Sequence, residues 1–188
     1  MRKILLLFCV LFLSCGLIVS AKNTNKCHIN FTKTKVLVAY FSYSGNTKQV
    51  AELIQTKTGG DIYEIKSAKG YPSNKKLLSE IAKFQINNNI HPELKDSVDV
   101  TPYKVIFIGT PVWYGTLPPP VETFLSQNNL KGKIIIPFIT HGGGGKYDIT
   151  VDIDDLTDGK VIHEPFVVCG KGDNNLEHNL NTWLKLFK

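Results

Sequence analysis

The sequence has 188 residues, of which 43% are hydrophobic and 20% are charged, and its formal net charge is +6. These values favour one globular domain with a substantial hydrophobic core, and they exclude an intrinsically disordered chain. The positive charge comes without a dense run of lysine and arginine and without a nucleic-acid-binding motif, so we do not expect DNA or RNA as a partner.

The first 21 residues have the pattern of a secretory signal peptide. Arg2 and Lys3 precede an apolar run from Ile4 to Leu13, and Val19-Ser20-Ala21 provides small residues for cleavage. The run is shorter than the ~20 residues that a membrane span needs, and no later segment is predicted to cross a bilayer. We therefore expect export to the periplasm or the medium. The removed segment holds two bases and no acid, so the charge falls from +6 to +4.

The N-terminal segment has an alternative interpretation. A lipoprotein anchored at Cys15 is the competing interpretation, although the residues before it fit that kind of cleavage site poorly. Residues 22–35 are polar and rich in lysine, which predicts an N-terminal tail. Export would permit a disulfide between Cys27 and Cys169. These two are expected at opposite ends of the sheet described next, so two unpaired thiols are preferred.

From residue 36 onward, short apolar runs alternate with segments whose apolar residues recur at helical spacing. This alternation predicts one α/β domain, residues 36–188, with a five-stranded parallel sheet covered by helices on both faces. Ligands of such sheets bind beyond the carboxyl ends of the strands. The predicted strands are 36–41, 61–65, 104–109, 133–140 and 161–168, and the predicted helices are 46–58, 74–88, one opening at Pro118, 147–156 and 175–187.

The loop after the first strand, Ser42-Tyr43-Ser44-Gly45-Asn46-Thr47, is the most informative stretch. Its hydroxyls, amide and backbone N–H groups meet the positive end of a helix, which suits a phosphate group. The loop lacks the lysine of a nucleoside-triphosphate-binding loop, and no G-x-G-x-x-G dinucleotide fingerprint is present. Its residues could instead only cap the helix, but a cap needs one such residue rather than four.

Two more loops should lie at the same edge. Residues 110–115 follow the third strand and contain adjacent aromatic residues, Trp113 and Tyr114, which offer flat faces to a planar ligand. Residues 141–146 follow the fourth strand and are rich in glycine, so their backbone amides can approach a ring edge closely. A phosphate cradle, an aromatic wall and a backbone-lined edge together fit FMN.

Over residues 36–188 the chain resembles the flavodoxin family. The resemblance depends on the loop from Ser42 to Thr47, which is similar to the family's [ST]-x-[ST]-G-x-T phosphate loop, on Gly109-Thr110-Pro111-Val112-Trp113-Tyr114, and on the order of elements. It implies strand order 2-1-3-4-5 and the short-chain type, because the fifth predicted strand is unbroken.

The resemblance also implies roles for individual residues. The phosphate would be held by Ser42, Ser44, Asn46, Thr47 and the amides around Gly45. Trp113 or Tyr114 would stack on the flavin ring, in a loop that also contains Thr110 and Pro111, and Gly115 would permit a turn that brings a carbonyl near flavin N5. The other side or the pyrimidine edge of the ring would be lined by Thr140, His141, Gly142 and Gly143.

The resemblance implies a monomeric carrier of electrons between redox-partner proteins, without catalytic residues or a metal site. An NAD(P)H-dependent quinone or azo reductase and a flavin-free protein that binds another phosphorylated ligand are the alternatives. The calculated isoelectric point of about 9.1 departs from the acidic character of the family. We therefore expect a fully reduced flavin that is less destabilised than in acidic relatives, and a partner surface that is neutral or negative. FMN would have to be acquired after export.

Overall fold

The structure is a computed structural model that describes residues 28–188. Three interpretations concern residues outside this range and stay predictions. They are the signal peptide, the lipoprotein alternative at Cys15, and the possible pairing of Cys27 with Cys169. Strands are β1 (Val36–Tyr40), β2 (Asp61–Glu64), β3 (Val105–Pro111), β4 (Ile134–His141), β5 (Lys160–Val161) and β6 (Phe166–Cys169), and helices are α1 (Asn46–Thr58), α2 (Lys75–Asn87), α3 (Pro119–Gln127), α4 (Ile149–Asp155) and α5 (Leu176–Leu184), followed by a 3₁₀ turn (Lys185–Phe187).

All strand pairs in the sheet are parallel, and the order is β2-β1-β3-β4 with β5 and β6 both paired to the outer edge of β4. The predicted α/β class and the order 2-1-3-4-5 are therefore confirmed, with β5 and β6 sharing the fifth position. Connections between parallel strands run through the helices, as the alternating pattern requires.

The fifth strand is not continuous, and our prediction of one unbroken strand over 161–168 was wrong. Val161 pairs with Ile135 and Phe166 pairs with Phe138, so this chain advances five residues while β4 advances three. The two extra residues form a bulge that breaks the ladder. Pro165 lies in this bulge, where its missing N–H costs no ladder hydrogen bond.

Both faces of the sheet are buried. Along β1, Val36, Val38 and Tyr40 belong to the apolar cluster shared with α1 and α5, whereas Leu37 and Ala39 belong to the cluster shared with α3 and α4. Alternate side chains of a strand point to opposite faces, so a strand covered on both sides must be apolar throughout. This accounts for the uninterrupted apolar runs in the sequence.

Part of the expected N-terminal tail belongs to the fold. Ile29 and Phe31 are buried in the same core cluster as α5, and the ring of Phe31 lies 6.0 Å from that of Phe107. The amide of Ile29 donates to the carbonyl oxygen of Phe187 at 2.5 Å. We expected residues 22–35 to be a polar tail, but for 28–35 this is wrong, because two apolar side chains among the polar residues suffice to anchor the segment.

Within residues 28–188, no helix combines the length and the hydrophobicity needed to cross a bilayer.

One close packing contact fixes the centre of the sheet near its carboxyl edge. A Cβ atom on Gly109 would lie 2.1 Å from Cζ of Phe138 and 2.7 Å from Cβ of Tyr40, so only glycine fits between these side chains. The three loops of interest begin immediately beyond this point.

Candidate functional site

Residues 42–47 comprise most of the connection from β1 to α1 and the first two residues of α1, and they lie at the carboxyl edge of the sheet. The amide of Phe41 donates to the carbonyl of Gly109 at 2.9 Å, which fixes the start of the loop against β3. Gly45 is the N-cap residue of α1 and has φ of 89°, a left-handed conformation that favours glycine. Its amide donates to Oγ of Ser42 at 3.2 Å, so the hydroxyl proton of Ser42 is free to donate elsewhere.

The first turn of α1 has no side-chain cap from any residue in the described part of the chain. Ser44 is exposed and Asn46 is half-buried, and neither caps this turn. The interpretation of the loop as a mere helix cap is therefore wrong. The free N–H groups carry the partial positive charge of the helix end, an arrangement that suits an anion.

Two buried threonines connect this loop to the end of β4. The hydroxyl oxygens of Thr47 and Thr140 lie 2.8 Å apart, and either hydroxyl can be the donor. This bond uses one of the two hydroxyl protons, so the pair keeps one proton for another acceptor. Thr110 is fully buried and its hydroxyl donates to the carbonyl of Pro111 at 2.9 Å. Thr110 and Pro111 therefore shape the end of β3 rather than offer free donors.

Trp113 lies at the centre of an aromatic cluster. Its ring meets Phe41, Tyr43 and Tyr71 edge to face, with centroids 5.2, 6.2 and 5.0 Å away. Such pairs stabilise by ~1 kcal/mol each beyond the area that they bury. The sequence predicted an aromatic wall from Trp113 and Tyr114, but it gave no sign that Tyr43 and Tyr71 would support it from the neighbouring loops.

A tight turn follows Trp113. The backbone amide and carbonyl of Trp113 exchange hydrogen bonds of 3.1 and 3.0 Å with those of Thr116. The two central residues, Tyr114 and Gly115, have φ of 51° and 85°, as a type I′ turn requires. Gly115 makes the turn possible at low cost, whereas Tyr114 is held in a conformation that non-glycine residues seldom adopt.

Helix α2 holds Tyr114 in place. The Tyr114 hydroxyl donates to Oγ of Ser79 at 2.7 Å, and Nζ of Lys83 lies 5.2 Å from the ring centroid in a cation–π contact. The Tyr114 side chain is still 53% exposed. The structure thus distinguishes the two aromatic residues of this loop. Trp113 is packed against three other rings, whereas Tyr114 is exposed and held in place by α2.

His141 organises the glycine-rich loop. Its Nδ1 accepts hydrogen bonds of 3.1 Å from the amides of both Gly143 and Gly145. Accepting these bonds requires a neutral ring whose proton is on Nε2, a tautomer assigned from the bonding pattern. The His141 ring thus fixes the backbone of the loop, while Gly142 stays exposed.

Tyr147 brings the aromatic loop and the glycine-rich loop into contact. A Cβ on Gly144 would lie 2.5 Å from the Tyr147 hydroxyl, and one on Gly115 would lie 3.5 Å from its ring. Tyr147 has φ of 48° and is 51% exposed. We did not predict a role for it. The signal in the sequence was an aromatic residue directly after the run of glycines and a lysine.

Two partly buried carboxyl groups lie near the aromatic loop. Asp152 accepts a hydrogen bond of 3.1 Å from the Thr116 hydroxyl, and its pKa is raised mainly by burial. Glu122 lies 3.7 Å from Nε2 of His91, and burial raises its pKa as well. In both cases burial favours the neutral form of the carboxyl group.

Comparison with known proteins gives a consistent picture. The sequence model of the flavodoxin family matches residues 35–185. No curated protein sequence shows a significant match. Among solved structures, a candidate flavoprotein of Bacteroides eggerthii is 28% identical, with a TM-score of 0.69 over 82% of this chain and 98% of its own.

Two further structures are similar. A candidate flavoprotein of Bacteroides uniformis is 25% identical, with a TM-score of 0.67 over 81% of this chain and 98% of its own. A flavoprotein of Lactobacillus acidophilus, solved in complex with FMN, is 29% identical, with a TM-score of 0.65 over 80% of this chain and 99% of its own. The similarity therefore spans nearly the whole length of each of these proteins.

Proposed function

The chain belongs to the flavodoxin family, and from this premise we propose that it binds FMN at the carboxyl edge of its sheet and carries electrons between larger proteins. The observation that carries the proposal is the uncapped start of α1 at Gly45, beside the aromatic cluster around Trp113. The FMN complex of the Lactobacillus acidophilus protein, 29% identical to this chain, supports the choice of ligand.

The residues present fit the phosphate group. The free amides of the first turn of α1 and the hydroxyl proton of Ser42 are neutral donors, and the helix dipole stabilises the negative charge. Thr47 and Thr140 keep one further hydroxyl proton. Ser44 and Asn46 lie in the same loop with no capping role to fulfil.

The residues present also fit a planar ring. We assign the stacking wall to Trp113 or Tyr114, and the opposite side or edge of the ring to Thr140, His141, Gly142 and Gly143. His141 holds the backbone of that loop through two hydrogen bonds, so its amides are positioned before a ligand arrives. One-electron and two-electron chemistry would come from the bound flavin, and the chain supplies binding, orientation and shielding.

An NAD(P)H-dependent reductase is the second candidate, because flavodoxin-like proteins include such enzymes. Stopped-flow mixing of the flavin-loaded protein with NADPH separates the two functions. Fast bleaching of the flavin absorbance would show a reductase, whereas an unchanged spectrum is expected for a carrier. A flavin-free role is tested by the visible spectrum of the purified protein.

The two ends of α1 provide a matched test of the phosphate site. Gly45 and Gly59 both have positive φ, 89° and 70°, and a Cβ on either would meet nothing within 4 Å. Gly45→Ala and Gly59→Ala should therefore cost similar stability, ~1 kcal/mol, through backbone strain. Only Gly45→Ala changes the loop proposed to hold phosphate.

We expect FMN added to the flavin-free protein to lose fluorescence and to raise the melting temperature. Gly45→Ala should weaken FMN binding about tenfold, a change of ~1.4 kcal/mol, while Gly59→Ala should bind as the wild type does. Absence of quenching and of thermal stabilisation in the wild type would reject FMN binding. Equal affinities of the two variants would place the phosphate elsewhere.

A further inference from the structure

A cleft of about 460 Å³ opens at the carboxyl end of β2, next to the candidate phosphate loop. One wall comes from residues 41–43 and the other from residues 64–71, and Lys95 completes the rim. Three exposed lysines, Lys66, Lys69 and Lys95, line it, and we call it the lysine cleft.

Backbone pairing forces two of these lysines together. Ser67 and Leu94 form an antiparallel bridge, flanked by hydrogen bonds of 2.8 Å from Ala68 to Glu93 and from Lys95 to Lys66. This register places Lys66 and Lys95 directly opposite each other, on the same face of the pair. Like charges in that position are destabilising. The fold therefore places two positively charged side chains on one face of this backbone pair.

Little negative charge within the cleft offsets the positive charge of the three lysines. Glu64 pairs with Lys66 at 2.8 Å and is the only acid among the described residues that line the cleft, which leaves two positive charges in excess. Tyr71 lies in the wall, and burial raises the pKa of its hydroxyl, so it stays neutral. An acidic partner would relieve the repulsion between the lysines.

The cleft is also close to the candidate flavin site. Tyr43 and Tyr71 line it, and the same two rings pack edge to face on Trp113. The hydroxyl of Tyr43 donates to the carbonyl of Pro72 at 2.8 Å, which holds this aromatic layer in place. One layer of aromatic rings thus separates the lysine cleft from Trp113.

We propose that the lysine cleft is the docking surface for an acidic redox-partner protein, an inference that rests on the proposed role as an electron carrier. The only arginine of the sequence is Arg2, so every positive charge of the described surface is a lysine or a histidine. Lysine is a flexible, strongly hydrated point charge, whereas precise recognition of a small phosphate compound favours the planar fork of arginine. Such a surface suits fast, transient association with acidic side chains.

The test compares two triple variants with the same change in charge. The cleft variant is Lys66→Gln, Lys69→Gln and Lys95→Gln. The control variant is Lys33→Gln, Lys35→Gln and Lys131→Gln, three exposed lysines that precede β1 and β4 and therefore lie at the opposite edge of the sheet. Adsorption of each purified protein to a carboxylate-terminated gold monolayer, at several salt concentrations, replaces the unidentified partner by an acidic surface of known composition.

We expect the cleft variant to lose about tenfold in adsorption constant at low salt, and the control variant about twofold or less, since association follows the local rather than the net charge. For flavin-loaded protein on the same gold electrode, the rate of electron transfer between electrode and flavin should fall in the cleft variant and change little in the control variant. Equal losses in both variants, or no loss in either, would overturn the docking proposal. So would saturable binding of inorganic pyrophosphate that only the cleft variant lacks, because it would show a pocket for a small anion.

The adsorption measurement needs no flavin, so it decides the docking proposal even if FMN fails to bind. A missing voltammetric signal with normal adsorption of the wild type would reject the proposed carrier function and leave the docking comparison intact.

Discussion

The hydroxyl oxygens of Thr47 and Thr140 lie 2.8 Å apart, although 93 residues separate them in the sequence. The bond joins the first turn of α1 to the end of β4, and both side chains are buried. The candidate phosphate loop and the glycine-rich loop are therefore connected through one pair of hydroxyl groups. A substitution at either threonine should therefore affect both loops.

We predict that Thr47→Val lowers the free energy of unfolding by ~1–3 kcal/mol, because it leaves the buried hydroxyl of Thr140 without its partner. The double variant with Thr140→Val should be less destabilised than the sum of the two single variants, since replacing both partners leaves no polar group unpaired. Urea denaturation of the four proteins measures this coupling. Additive losses would show that the hydroxyls do not bond in solution.

His141→Leu should release the glycine-rich loop. The variant removes the acceptor of two amide hydrogen bonds, so hydrogen exchange at Gly143 and Gly145 should become about two- to tenfold faster. The amide of Gly170 donates to the backbone carbonyl of His141 at 2.8 Å and serves as an internal control, because the substitution leaves that carbonyl in place. Unchanged exchange at the two glycines would contradict the role assigned to the ring.

Gly144→Ala should displace the Tyr147 side chain, since the new Cβ would lie 2.5 Å from its hydroxyl. We expect a small loss of stability, because the far end of a flexible side chain can move, but weaker FMN binding, because that ring joins the two loops. Gly132→Ala is the control outside the ligand loops, because Gly132 precedes β4 at the opposite edge of the sheet and a Cβ there meets nothing within 4 Å. Isothermal titration with FMN compares them, and equal affinities would show that the position of Tyr147 does not matter for the site.

Glu122 should make stability depend on pH. Burial raises its pKa above the ordinary value of 4.5, so the folded state holds the proton more strongly than the unfolded state does. This contribution is fully present below pH 4.5 and is lost as pH rises through the folded pKa. Glu122→Gln should therefore gain stability relative to the wild type as the pH rises above 4.5.

Glu177→Gln provides a control of opposite sign for that experiment. A hydrogen bond from Lys57 lowers the pKa of Glu177, so its contribution is present at higher pH and is lost on acidification. Urea midpoints measured across the pH range should diverge in opposite directions for the two variants. Parallel curves would show that the environment of Glu122 does not favour its neutral form.

Export can be checked by the mass of the mature protein. Expression of the full sequence in a bacterial host should give a secreted or periplasmic chain that begins at Lys22, as the small residues before it predict. A chain that begins at Cys15 and carries fatty acid would support the lipoprotein alternative instead. Retention of residues 1–21 would reject both.

Most of the fold could be predicted because its signals are local. Apolar runs such as residues 104–109 mark strands buried on both faces, and glycine or proline marks their ends. The break in the fifth strand could not be predicted, because it depends on the register of residues 160–169 against β4. Pro165 was the one hint of it in the sequence. Ile29 and Phe31 were overlooked because two apolar residues among polar ones carry no clear periodicity.

The site was predictable only in outline. The three loops were expected at one edge from the parallel topology alone. The contacts that shape them join residues far apart in sequence, as Trp113 with Tyr71 and Thr47 with Thr140, and no spacing rule reports such pairs. Tyr147 was missed because its role depends on a positive φ and on two glycines that it contacts.

The hydrogen bond between Ile29 and Phe187 has a practical consequence. Both ends of the described chain meet at the amino edge of the sheet, opposite the ligand loops. A membrane tether or an affinity tag attached before residue 28 would hold the protein at this edge and leave the candidate ligand loops facing away from the attachment point. The same proximity makes the fold a candidate for circular permutation with a short linker.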